Sequence, residues 1–248
     1  MSYTQVTLKE VVKKQYSLKL KAFTDLLNPL IFMQLIALFF SLNGIGQRGV
    51  GGNLSISYYS TDFVVFFTIL WAFIIAIQLR MKNYRQQMLP FVYNSTTTAL
   101  SDGLFLLTAS IIGAVFSLAS RYILLAITRF VLQHDQLLGT NIIASPLELL
   151  MGVIATIVVI FTFGLIGYFV GTLIQWNKGF AYILLTVLIG GLLSVLLSGN
   201  ETLLNILQML FKFYFFEKNF FLFLVKFLGT ASLGFFIALK LSHRLEVS

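Results

Sequence analysis

Hydrophobic residues come along this chain in long charge-free blocks, not in alternation with polar ones. A helix needs about 20 residues to cross a hydrocarbon layer roughly 30 Å thick. Six blocks approach that length: 26 to about 42, 63–79, 103–120, 149 to about 174, 179 to about 197, and 220–239, the last interrupted by Lys226. Leu, Ile, Phe and Val dominate them without the two-residue period of a membrane barrel. The pattern predicts an all-α membrane protein, a single transmembrane domain over 1–248 with six transmembrane helices in 24–240 and a short tail at 241–248.

The stretches between the blocks have patterns of their own. Within 1–23, Leu8, Val12, Tyr16, Leu20 and Phe23 recur every three or four residues, while Lys9, Glu10, Lys13, Lys14 and Lys21 occupy other faces. That spacing predicts an N-terminal amphipathic helix lying in the headgroup layer, with Glu10 and Lys14 as an i,i+4 pair. The segment 80–103 is too polar to cross, and its first half suits a short helix that Pro90 ends at Leu89. Ser101 and Asp102 are then placed to cap the third span. The apolar stretch 203–216 is too short to cross and predicts an interfacial helix before the sixth span, with Phe211, Tyr214, Phe215 and Phe216 suited to an aromatic belt. In the fourth span, Gly164, Gly167 and Gly171 predict a close helix–helix approach.

Composition agrees with a lipid-facing exterior. Charged residues make up 10% of the chain and hydrophobic ones 58%, against about a quarter and just under half in soluble domains. Such a chain cannot cover a water-facing surface. Lys and Arg number 17 against 9 Asp and Glu, a surplus that in a membrane protein reads as topology, not as a nucleic-acid face. With the N-terminus inside, Lys9, Lys13, Lys14, Lys19, Lys21, Arg80, Lys82, Arg85, Lys178, Lys240 and Arg244 fall on the inner side, and Arg48, Arg129, Lys212 and Lys218 on the outer. Both termini are therefore expected in the cytoplasm. Arg121 and Lys226 fall at or within span ends near the outer interface, where their stems can snorkel or line a path. No small-residue cleavage site follows the first apolar run, so that run is expected to remain as an anchor.

Candidate chemistry is sparse. With no cysteine there is no disulfide framework, thiolate metal site or cysteine nucleophile. GIGQRG, Gly44 to Gly49, matches the dinucleotide fingerprint literally. A working fingerprint lies between a strand and a helix with an acid about 20 residues on. Here it follows a membrane block and the next acid is Asp62, so it is expected to be a flexible loop. There is no GxxxxGK[ST] either. The nine acids fall at span ends or in loops, and His134 and His243 on opposite sides, which argues against an intramembrane enzyme and leaves neither catalytic nor metal-ligating residues to name. An ion-coupled secondary transporter is the other alternative, although intramembrane ionisable residues and broken helices are not evident.

The whole layout resembles the membrane-spanning permease subunit of bacterial type-2 ATP-binding-cassette (ABC) transporters. The resemblance rests on the basic amphipathic elbow at 1–23, the polar segment QQMLPFVYNST before the third span, the short link QWNKG, the apolar outer element before the sixth span, and the tail KLSHRLEV. It implies a cytoplasmic coupling helix between spans two and three, which by position takes in Tyr84, Arg85, Gln86, Gln87, Met88 and Leu89. It further implies a bacterial cell-membrane location, a second permease chain and an ATPase subunit holding ATP and Mg, with no cofactor bound to this chain. Export of hydrophobic or amphipathic cargo, such as a peptide, an antibiotic or a lipid, fits the aromatic-rich spans.

Overall fold

A computed structural model describes residues 7–42, 46–50, 54–58, 60–81, 94–130, 145–198 and 201–247. These residues form seven helices: α1 (Leu8–Leu42), α2 (Asp62–Arg80), α3 (Ser95–Phe130), α4 (Pro146–Trp176), α5 (Gly179–Ser198), α6 (Glu201–Phe215) and α7 (Phe220–Val247). Between α1 and α2, β1 (Gly46–Val50) pairs antiparallel with β2 (Leu54–Tyr58), Arg48 opposite Ile56. The expected flexible loop at GIGQRG is thus corrected: its last four residues belong to a hairpin strand.

Among the described residues, four helices are long and apolar enough to cross a membrane, in Asp62–Arg80, Ser95–Phe130, Pro146–Trp176 and Phe220–His243. They mark the chain as membrane-embedded. The apolar stretches Asn28–Leu42 in α1 and Gly179–Gly191 in α5 are shorter, as is Thr202–Phe215 in α6. Phe32, Phe39, Phe66, Tyr182, Val187, Leu233 and Phe236 stand open on the outer faces, each more than half exposed, which in lipid carries no hydrophobic penalty.

The expected break between an elbow helix and a first span is absent. α1 runs unbroken for 35 residues with Pro29 inside it, about 52 Å at 1.5 Å per residue. Pro29 has no N–H to offer and removes one helical bond, yet the helix continues through it. The i,i+4 pair of Glu10 with Lys14 is also replaced. Glu10 Oε2 instead accepts from the Thr7 N–H at 3.3 Å and caps the start of α1.

Helix ends depart from the charge-free blocks in the same direction. α3 begins at Ser95, where Asn94 Oδ1 accepts from the Thr96 N–H at 3.1 Å. The helix thus starts eight positions before the block at 103, and Ser101 and Asp102 lie inside it, not at its cap. α4 begins with a capping box in which Ser145 Oγ accepts from the Glu148 N–H and Glu148 Oε2 from the Ser145 N–H, both at 3.3 Å. The spacing S-P-L-E is the sequence signature of such a box.

The core is made where α2, α3 and α4 meet α1 and α7. Leu30, Trp71, Ile75, Phe105, Leu106, Ile160, Tyr168 and Ala231 are all buried there. Gly167 and Gly171 set how closely α4 meets α2. A methyl group at Gly167 would lie 2.5 Å from the Phe73 carbonyl oxygen, and one at Gly171 would lie 3.0 Å from Arg80 Cβ and 3.1 Å from Ile77 Cα. The absent side chains bring two backbones together where only packing can hold helices. Gly164 differs: a methyl there would meet Leu106 of α3 at an ordinary 3.7 Å.

Candidate functional site

Among the described residues, buried polar side chains gather where α2 ends and α3 begins. Gln15 and Lys19 share a face of α1, one turn apart, and turn toward the first two turns of α3. The Lys19 ammonium donates to Asp102 Oδ1 at 2.5 Å, to Ser101 Oγ at 2.5 Å and to the Thr98 carbonyl at 3.4 Å. Its three protons are thereby all used. Lys19 and Asp102 are each about 1% exposed. Ser101 Oγ is also within 3.2 Å of Gln15 Oε1, bringing the neighbouring turn of α1 into the cluster. Asp102 Oδ2 and Thr98 Oγ1 have no hydrogen-bond partner among the described residues.

A second knot closes the end of α2. Arg80, 3% exposed, donates from Nη1 to Tyr168 Oη on α4 at 3.2 Å and from Nη2 to Ser242 Oγ on α7 at 2.8 Å. Its Cζ lies 5.1 Å from the Tyr168 ring centroid, so one tyrosine receives it through both hydroxyl and ring. Gly171 makes this possible locally, because the last turn of α2, with Arg80 Cβ, occupies the space a side chain would take. The two knots adjoin. Phe235 of α7 packs on Tyr168 with centroids 5.8 Å apart and reaches within 3.4 Å of where a Gly103 methyl would sit, next to Asp102.

Breaking such contacts is costly. A charge left buried without its partner costs about 3–5 kcal/mol, whereas an apolar pair of similar volume can replace both. The cluster therefore fixes α1 to α3 and α2 to α4 and α7.

A third polar contact lies toward the opposite end of α7. Lys226 forms an ion pair with Glu217, donates to the Phe213 carbonyl at 3.0 Å and sits 4.2 Å from the Phe213 ring centroid. The lysine that interrupts the last apolar block thus turns back to the end of α6. Its hydrogen bond to Glu217, together with its charge, holds that carboxyl below the ordinary carboxylate value.

The proposed coupling residues Tyr84, Arg85, Gln86, Gln87, Met88 and Leu89 lie outside the described residues, as do Lys82 and Pro90. Both ends of their segment are described, and both are the knots just given: Arg80 before it, Ser95 to Asp102 after it. Sequence reasoning missed Lys19, Asp102, Arg80, Tyr168 and Ser242 as one assembly. It assigned Asp102 to a cap and the two cations to topology. The expectation that every acid falls at a span end or in a loop is corrected for Asp102, which is buried inside α3. No group of three His, Asp or Glu side chains able to hold a metal occurs among the described residues.

No protein family, curated protein or solved structure matches this chain.

Proposed function

We propose that this chain is the membrane-spanning subunit of an ATP-driven transporter of the ABC type, placed in a bacterial cell membrane. In this reading it crosses six times, with both termini and the connection 82–93 on the cytoplasmic side. It pairs with a second permease chain and passes hydrophobic or amphipathic cargo outward, while ATP and Mg belong to a separate ATPase subunit.

The observation that carries the reading is the double clamp on that connection. Energy released at an external ATPase can shift a bundle between two states only through a contact stiff enough to bias them. A segment leaving from Arg80 and re-entering at Ser95 pulls on α4 and α7 through Tyr168 and Ser242, and on α1 through Asp102 and Lys19. A connection that only joined two spans has no need of buried charges at both ends.

One observation favours ion-coupled secondary transport: Asp102 is an ionisable group buried within the bundle. Against it, Lys19 already neutralises that charge, and Asp102 adjoins the end of the block 103–120, whereas ion sites of such transporters lie near the membrane midplane.

The test is affinity purification of the chain from its native membrane. The proposal expects a nucleotide-binding chain to be recovered with it, and expects Leu89→Asp to lower that recovery while the chain still inserts. A chain recovered alone, or equal recovery with Leu89→Asp, contradicts it.

A further inference from the structure

α1 and α3 enclose a groove of about 430 Å³ on their outer seam, beside the buried Lys19–Asp102 pair. Its volume lies within the range of about 300–1,000 Å³ usual for ligand sites. Leu8, Val12 and Tyr16 supply one wall and Leu100 and Leu104 the other, and the open surface is wholly apolar. Lys9 and Lys13, one turn apart and both exposed, stand at its edge. Neither Lys9 nor Lys13 has a carboxylate partner among the described residues. The level matters as well: Leu104 is the second residue of the charge-free block 103–120, where α3 passes from the headgroup layer into hydrocarbon.

We infer that this groove seats an anionic phospholipid, one acyl chain along Val12, Tyr16, Leu100 and Leu104 and the phosphate between Lys9 and Lys13. An apolar slot with a cationic edge at the headgroup boundary matches the two ends of such a molecule in the order the membrane presents them. Lys19 is already satisfied within the protein, whereas Lys9 and Lys13 are exposed and are the lysines of α1 that border the groove. Paired lysines near a bilayer surface favour anionic over zwitterionic lipid by roughly tenfold or more. The site rests on the membrane placement of α1 and α3 and not on coupling to an ATPase, so loss of the transporter reading leaves it standing.

The test uses the full-length chain purified in detergent, with phosphatidylglycerol and phosphatidylcholine carrying the same photoreactive acyl chain. Cross-linked peptides are mapped by mass spectrometry. Phosphatidylglycerol is expected to label 8–16 and 100–104 preferentially, and the double variant Lys9→Gln/Lys13→Gln to lose about tenfold of that labelling. Lys178→Gln/Lys240→Gln removes the same charge elsewhere and is expected to keep it. Labelling of the exposed start of α4, around Leu150, is expected to be equal in all three proteins and reports that each is folded. Equal labelling of the groove by the two lipids, or unchanged preference in Lys9→Gln/Lys13→Gln, overturns the inference. So does cross-linking of two protein copies through 8–16, which makes a second chain the occupant.

Discussion

Lys19 and Asp102, 83 positions apart, meet at 2.5 Å with both side chains buried, joining the basic start of α1 to the second turn of α3. Removing either partner strands the other's charge. Lys19→Ala and Asp102→Ala are each expected to cost about 3–5 kcal/mol, while Lys19→Met/Asp102→Leu recovers most of the loss. Thermal unfolding of the detergent-purified proteins checks this. Equal losses in all three variants would contradict a stranded charge as the cause of the single-variant losses.

The sequence carried the helices far better than this pair, for a physical reason. Charge-free blocks locate lipid-facing surface, and 63–79, 149–174 and 220–239 fall within α2, α4 and α7. The same criterion stops a helix at its first charge, so Arg80 and Asp102 were placed outside spans although both sit in regular helix facing protein. Lys19 was grouped with four other lysines, and nothing local distinguishes the one that turns inward. Its position does carry a trace: Val12, Gln15 and Lys19 recur at helical spacing on one buried stripe of α1. The capping box at Ser145 is written locally, as S-P-L-E. The hairpin at Gly46 was not legible, since three glycines in six residues read equally well as loop.

Gly167 and Gly164 separate close approach from mere smallness. Gly167→Ala drives a methyl into the Phe73 carbonyl at 2.5 Å and is expected to cost about 1–3 kcal/mol as α2 and α4 move apart. Gly164→Ala meets only Leu106 at 3.7 Å and is expected to be neutral or slightly stabilising, because alanine is the better helix former. Melting temperatures of the two variants side by side check this, and equal shifts contradict it.

Glu217 reports the corner between α6 and α7. Lys226 lowers its pKa from the usual 4.5, mainly through the hydrogen bond it donates. A lowered folded value means that the pair stabilises the corner above pH 4.5, and that this contribution is lost as pH falls through the folded midpoint. Carboxyl NMR of the labelled protein is expected to place the Glu217 midpoint below 4.5, and Lys226→Met to return it toward 4.5. A midpoint at or above 4.5 in the unaltered protein contradicts the ion pair.

The measurement that bears most directly on the account is the side of the membrane on which the clamped connection lies. The chain contains no cysteine, so Met88→Cys provides a single thiol within 82–93. An impermeant maleimide added to whole cells is expected to leave it unlabelled, and to label it once the cells are opened. Labelling in intact cells would put the connection on the outer face, out of reach of any cytoplasmic ATPase, and would contradict the account.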